Sequence, residues 1–240
     1  MITSLENDKI KNLVKLQQKK YRDLTNTYIV EGEHLVKEAY NEGLIKEIYA
    51  LDSVVEEYDC NYIFITPEIM KKISTMDTPS NIIALCNKRD YQEIIGNKIL
   101  LLDDIQDPGN LGTIIRSAVA FNIDMIILSN DSVDLYNPKV LRSTQGMYTH
   151  IPVIRMDLKE AISKVKEKGI KVYGTNVVNG TDVRNVKVSE YALVMGNEGN
   201  GVRKEIEDLC DENLYIPMNK QVESLNVAIA CSILLYELGD

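Results

Sequence analysis

Tryptophan is absent from this chain of 240 residues, phenylalanine and histidine occur twice each, and cysteine four times. Two histidines, His34 and His150, give little material for imidazole catalysis or a histidine-rich metal centre, and no metal is expected. Cys60, Cys86, Cys210 and Cys231 lie far apart, with no CxxC pair and no histidine beside them. Neither a zinc site nor a disulfide framework is expected, and a reducing cytoplasm fits. No apolar run approaches the roughly 20 residues of a membrane helix. The first residues, MITSLENDKIKNLVKL, are charged where a secretion signal needs an apolar core. What remains, 45% hydrophobic and 26% charged, is the make-up of an ordinary globular protein with one large or two small domains.

The net charge of -9 argues against non-specific binding to nucleic acid, which depends on neutralising phosphates. Its distribution argues otherwise in one place. Residues 9–22 (KIKNLVKLQQKKYR) carry Lys9, Lys11, Lys15, Lys19, Lys20 and Arg22 and no acid. Read as one helix, Lys11, Lys15, Lys19 and Arg22 share a face, while Ile10, Leu13, Val14 and Tyr21 share another. A basic stripe on an acidic protein points to a polyanion partner; a solvated helix face is the plain alternative.

Short β-branched runs at 27–32, 45–51, 61–66 and 81–88 alternate with helical patterns at 33–43 and 67–74, so residues 1–92 read as a small α/β layer. After a polar connection at 89–98, residues 93–240 restart with strands at 99–105, 124–129, 151–156, 171–177, 191–196 and 213–218. Helices are expected at 111–122, 137–147, 157–168, 202–209 and 223–238. Nearly continuous Ile, Leu and Val in these strands is the signature of a parallel sheet covered on both faces. The last helix is apolar nearly all round and is expected to be buried.

Three segments at strand ends carry unusual polar residues, where open parallel sheets bind ligands. In DDIQDPGNLGTIIR (103–116), Asn110 sits where a helix cap belongs and Arg116 follows in the same helix. In MGNEGNGV (195–202), Gly196, Gly199 and Gly201 surround Glu198. Such a loop is expected to leave backbone groups open to a ligand. In IPMNKQVESLNVAIA (216–230), Ser224 and Asn226 open the last helix. Capping and salt bridging would explain Asn110, Arg116 and Ser224 but Gly112 poorly, and a tight strand-to-helix turn is the plain alternative for the three glycines around Glu198.

Taken together, NLGTIIR, GNEGNG and IPMNKQVESLN resemble the three motifs of the SpoU/TrmH group of RNA ribose 2'-O-methyltransferases, in the SPOUT class. GTN at 174–176 and LRSTQGMYTHIPV at 141–153 are similar to further segments of that group. The stretch 10–39 resembles, less specifically, the ribosomal-protein-like substrate-binding domain of its large-subunit rRNA members. The resemblance implies a SPOUT-type parallel α/β sheet with a C-terminal trefoil knot, one of the few exceptions to unknotted folding, preceded by the small α/β domain. It implies S-adenosylmethionine held by Gly196, Ile216 and Leu225, with Thr175, Asn197 and Met218 nearby. Asn110, Arg116, Glu198, Ser224 and Asn226 match the group's functional polar positions. A homodimer is implied, with Arg116 close to the partner's cofactor.

The expected reaction moves a methyl group from the sulfonium to a ribose 2'-oxygen of RNA, most readily 23S rRNA. The sulfonium is the electrophile, so positioning and local electrostatics are what the protein adds. Arg116 is expected to grip the neighbouring phosphate and favour the alkoxide, with Lys11, Lys15, Lys19 and Arg22 holding RNA elsewhere. Competing readings are a tRNA ribose substrate, a non-catalytic RNA-binding protein, and a nucleotide-dependent oxidoreductase. The glycine order GxxGxG counts against the last.

Overall fold

The basic stretch 9–22 is not one helix in the computed structural model, which describes residues 1–55, 57–177 and 180–239. Helix α1 (Asp8–Lys15), capped by the Asn7 side chain, ends before α2 (Lys19–Thr25) begins. The side chain of Arg22 is only 3% exposed. Its Nη1 donates to the carbonyls of Leu16 and Gln17, at 2.8 and 2.9 Å, where α1 has run out of helical partners. The expected stripe is thereby broken, and Arg22 is a strut inside the fold instead of a surface cation. Lys11 pairs with Glu6 and Lys19 with Asp23, both in exposed positions.

The chain divides into two units, Met1–Arg89 with Tyr136–Thr149, and Asp90–Leu135 with His150–Asp240. In the first, β1 (Thr27–Glu31), α3 (Glu33–Asn41), β2 (Ile45–Ala50), β3 (Tyr62–Phe64), α4 (Pro67–Ile73) and β4 (Ile82–Asn87) follow α2. The sheet order is β1-β4-β2-β3, with β4 antiparallel to both neighbours and β2 parallel to β3. Ile10, Leu13 and Leu16 of the N-terminal helical region join Ile69, Met70 and Ile73 of α4 and Ile29, Tyr49 and Ile83 of the sheet in one core.

The second unit begins with β5 (Lys98–Leu102), α5 (Pro108–Ala120) and β6 (Met125–Leu128). The chain then contributes α6 (Pro138–Thr144) to the first unit. There the rings of Tyr28 and Tyr136 lie 4.5 Å apart and the Tyr28 and Tyr148 hydroxyls are 3.0 Å apart. Residues 136–149 thus cluster with the N-terminal unit, although sequence reading assigns them to a continuous 93–240. Buried tyrosine hydroxyls need partners, and these two find each other. The second unit resumes with β7 (Val153–Arg155), α7 (Leu158–Glu167), β8 (Val172–Thr175), β9 (Thr181–Asp182), β10 (Tyr191–Met195), α8 (Lys204–Glu207), β11 (Glu212–Tyr215) and α9 (Val227–Leu238).

Its seven strands are in the order β7-β6-β5-β10-β8-β11-β9, every neighbouring pair parallel. Strands β6 and β10 are buried throughout, as their unbroken apolar runs predict. Because β5, β10, β8 and β11 are consecutive in this order, the segments that leave their carboxyl ends share one edge of the sheet. Helix α9 starts four residues later than expected and is not buried all round: Ile229 is 53% and Tyr236 68% exposed.

Candidate cofactor site

Gly196 follows β10 and the loop after it closes on itself. The Asn197 N–H donates to the Gly201 carbonyl (3.0 Å) and the Gly201 N–H to the Asn197 carbonyl (2.9 Å). A Cβ on Gly196 would lie 2.1 Å from Gly201 C and Val202 N, so this glycine is required by the loop's own backbone. Gly201 has φ +70°, the left-handed region that favours glycine. The Asn197 Oδ1 accepts from Gly199 N (2.8 Å) and Asn200 N (3.2 Å), and its Nδ2 donates to the Asp104 carbonyl (2.8 Å). The expectation that this loop leaves its backbone N–H and C=O groups open to a ligand is therefore corrected for the N–H groups of 197, 199, 200 and 201 and the carbonyls of 197 and 201, which are paired within the loop. Asn197 organises the turn.

At the foot of the loop is a pair that sequence reading did not single out. Asp103, fully buried after β5, receives Arg203 through its backbone N–H (2.9 Å) and its Nη2 (2.6 Å). Hydrogen bonding to that carboxylate raises the guanidinium's already high pKa. The carboxylate thus ties residue 203 to the end of β5. The only sequence signal was an acid directly after an apolar strand, which is also an ordinary solvated strand end.

The loop forms one wall of a cavity of about 300 Å³. Thr175, Gly196, Asn197, Ile216, Met218 and Leu225, the residues expected to hold a cofactor, all line it. Glu198 and Ser224 line it as well, and Leu214 and Leu234 add apolar surface. The Thr175 hydroxyl donates to the Val194 carbonyl (2.9 Å), fixing the end of β8 against β10. Among the described residues its lining contains no Lys, Arg or His, and one carboxylate, Glu198. A slot with apolar walls, several neutral polar groups and a single acid suits a ligand with an aromatic ring and a cationic centre; its described residues offer no counter-charge to a nucleotide's phosphates. Among the described residues no group of three or more His, Cys, Asp or Glu is placed to hold a metal, and no helix is long and apolar enough to cross a membrane.

Beside the cavity runs a polar chain. Asn110 Nδ2 donates to Glu198 Oε1 (3.0 Å), and Asn226 Nδ2 donates to Asn110 Oδ1 (2.9 Å). Glu198 also accepts from the Asp107 N–H (3.3 Å). Two capping expectations change here. Asp107, not Asn110, caps α5, its Oδ1 accepting from the Asn110 N–H; Pro108 then takes the first helical position, which suits a residue without an N–H. Asn226, not Ser224, caps α9 by accepting from Ala228 N and Ile229 N. Arg116 is not part of this chain. It lies six residues beyond Asn110 on α5, about 9 Å along the axis and about 120° round it. It is exposed and makes no ion pair or hydrogen bond with a described residue. His34 is exposed on α3 and His150 precedes β7; neither lines the cavity.

Comparison with known proteins bears on the whole chain. Residues 7–84 match the model of the MRM3-like substrate binding domain. The 23S rRNA (guanosine(2553)-2'-O)-methyltransferase RlmP of Bacillus subtilis is 41% identical, covering 99% of this chain and 98% of its own. The AdoMet-bound rRNA methyltransferase of Sinorhizobium meliloti is 31% identical with a TM-score of 0.88, over 98% of this chain and 95% of that one. The AdoMet complex of the SpoU methyltransferase AviRb from Streptomyces viridochromogenes, 22% identical over 97% of each chain, shares the fold with a TM-score of 0.87. Residues 97–236, which contain the cavity and its polar chain, match the model of the SpoU rRNA Methylase family, and the protein belongs to that family.

Proposed function

We propose that this chain transfers a methyl group from S-adenosylmethionine to a ribose 2'-hydroxyl of 23S rRNA. The observation that carries the reading is the cavity at the carboxyl edge of the parallel sheet, more apolar than polar, without a cation among the described residues, and walled on one side by the Gly196–Gly201 loop. Its apolar residues Ile216, Met218 and Leu225 would hold the adenosine, and Glu198 is the one charge near a cationic ligand. When bound, the cofactor supplies an electrophilic methyl group on a sulfonium. The chain's part is to orient the ribose and to ease loss of the hydroxyl proton. Arg116 takes that part: a guanidinium offers a planar fork of donors and no acceptor, so it holds a phosphate and favours the alkoxide while the phosphate or a water accepts the proton. Asn110, Asn226 and Ser224 would position the ribose, and Glu198 fixes Asn110.

The reading includes a homodimer that brings Arg116 to the partner's cavity. Its support is the exposed apolar side of α9, Ile229 and Tyr236, with Phe121 5.9 Å from the Tyr236 ring. It also includes threading of the C-terminal segment as a trefoil knot, supported by the insertion of β10 between β5 and β8 in the sheet order. Lys11, Lys15 and Lys19 would contact RNA. A cytoplasmic site of action follows from the rRNA substrate.

The test maps 2'-O-methylation across total RNA from cells with and without the protein, and then adds the purified chain and S-adenosylmethionine to the unmodified RNA. The expected result is one 23S rRNA position lost and restored. Identical maps, or a restored position in tRNA, overturn the reading.

A further inference from the structure

The cavity beside the Gly196–Gly201 loop is not the only sizeable one among the described residues. A second, of about 440 Å³, lies wholly in the first unit, where α1 and α2 separate over the sheet. The break between these helices creates it, and the buried Arg22 guanidinium holds the break by occupying the carbonyls of Leu16 and Gln17. Its most buried lining residues are Leu13, Leu16 and Tyr49; Leu24, also in the lining, is 75% exposed. Tyr21 lines it too, its ring flanked by the Lys15 and Lys20 ammonium groups at 5.8 and 5.9 Å.

The charge around this cavity is basic on an acidic protein. Lys9, Lys15 and Lys46 line it, against one acid, Glu47. Glu47 is already neutralised, accepting from Lys9 Nζ (2.7 Å) and the Tyr49 hydroxyl (2.6 Å). Lys15 donates to Asn12 Oδ1 (3.5 Å), and neither it nor Lys46 makes an ion pair with a described residue, so two cations without a carboxylate partner remain beside an aromatic ring and an exposed leucine. Aromatic rings interleaved with lysines are the chemistry that receives single-stranded nucleic acid: the ring stacks a base and the ammonium groups meet the phosphates on either side. The volume is that of a small-molecule site, ample for one nucleoside.

We propose that this cavity receives one unstacked nucleotide of the RNA substrate, its base against Tyr21 and its flanking phosphates on Lys15 and Lys46. The proposal rests on the reading of the chain as an RNA methyltransferase and adds a second point of recognition within the first unit. Such a site selects RNA with a single-stranded segment, since a base held in a duplex cannot reach the ring.

The test uses the full chain and fluorescein-labelled octanucleotides of adenosine and of uridine, followed by anisotropy over a range of salt. Wild type is expected to bind them; Tyr21→Ala is expected to weaken binding about tenfold, the scale of one lost base stack. Tyr21→Phe keeps the ring and is expected to stay within about twofold. Lys46→Ala is expected to lower the slope of log affinity against log salt by about 0.7, one single-strand phosphate contact. Leu24→Glu, at an exposed position where folding is not at stake, is expected to weaken binding as well. Equal displacement of the RNA by inorganic polyphosphate or by an octaglutamate peptide overturns the proposal, as does unchanged binding by Tyr21→Ala and Leu24→Glu. Methyl transfer to rRNA is measured on the same preparations. Octanucleotide binding without methyl transfer counts against the enzyme reading and leaves the pocket standing; methyl transfer without octanucleotide binding removes the pocket.

Discussion

Asn226 donates its side-chain amide to Asn110 Oδ1 across 2.9 Å, joining residues 116 positions apart in the chain. The same side chain accepts from Ala228 N and Ile229 N, so one amide both starts α9 and grips the first turn of α5. Asn110 passes the connection to Glu198. Three segments that are separate in sequence are thereby held in one array beside the cavity at the sheet edge.

Replacing Asn226 separates its two roles. Asn226→Asp keeps an oxygen to cap α9 and loses the donor to Asn110, so the melting temperature is expected to change little while turnover falls. Asn226→Ala removes both and is expected to cost about 1 kcal/mol of stability besides. Thermal denaturation alongside single-turnover methyl transfer distinguishes them; equal turnover by wild type and Asn226→Asp would discard the ribose-positioning role.

Gly196→Val is expected to abolish S-adenosylmethionine binding by breaking the loop, since its Cβ would lie 2.1 Å from the backbone at Gly201 and Val202. A fall in melting temperature should accompany the loss. Gly199→Ala meets only Asn197 Oδ1, at 3.5 Å, and is expected to bind the cofactor as wild type does. Calorimetry on both variants checks the contrast, and normal binding by Gly196→Val contradicts it.

Arg116→Ala is expected to leave stability within about 0.5 kcal/mol, because the side chain is exposed and unpaired with described residues. Cofactor affinity should stay near wild type, while turnover drops on the order of 10²-fold, the scale of one lost transition-state donor. Arg116→Lys should rescue little, since a point charge does not reproduce the planar fork. Single-turnover rates equal to wild type at a temperature where both are folded would remove Arg116 from the chemistry.

Ile229→Lys, on the exposed side of α9, is expected to convert a dimer of the full chain to monomer without lowering cofactor-site integrity in the isolated subunit. Sedimentation at micromolar concentration reads the change. If wild type itself sediments as a monomer, the shared-site reading of Arg116 fails with it.

Local sequence patterns determined much of this protein. Strands such as β6 and β10 were legible because a strand covered on both faces must be apolar along its whole length. Gly196, Gly199 and Gly201 marked a loop after β10 but not how tightly it closes on itself, and the polar segments at 103–116, 195–202 and 216–230 marked the edge of the sheet, because open parallel sheets bind ligands at the carboxyl ends of their strands. What the tertiary structure alone decided involves partners distant along the chain. Arg22 reads as a surface cation until the free carbonyls at the end of α1 claim it. Asn110 reads as a cap until Asp107 takes that role and frees Asn110 to join Glu198 and Asn226. Asp103 reads as a solvated strand end until the half-buried Arg203, 100 residues later, pairs with its buried carboxylate. Helix α9 reads as buried because periodicity reports how apolar each side is, not whether anything covers it. Spacing and composition carry short-range geometry, whereas a buried hydrogen bond or ion pair depends on which distant group the fold delivers.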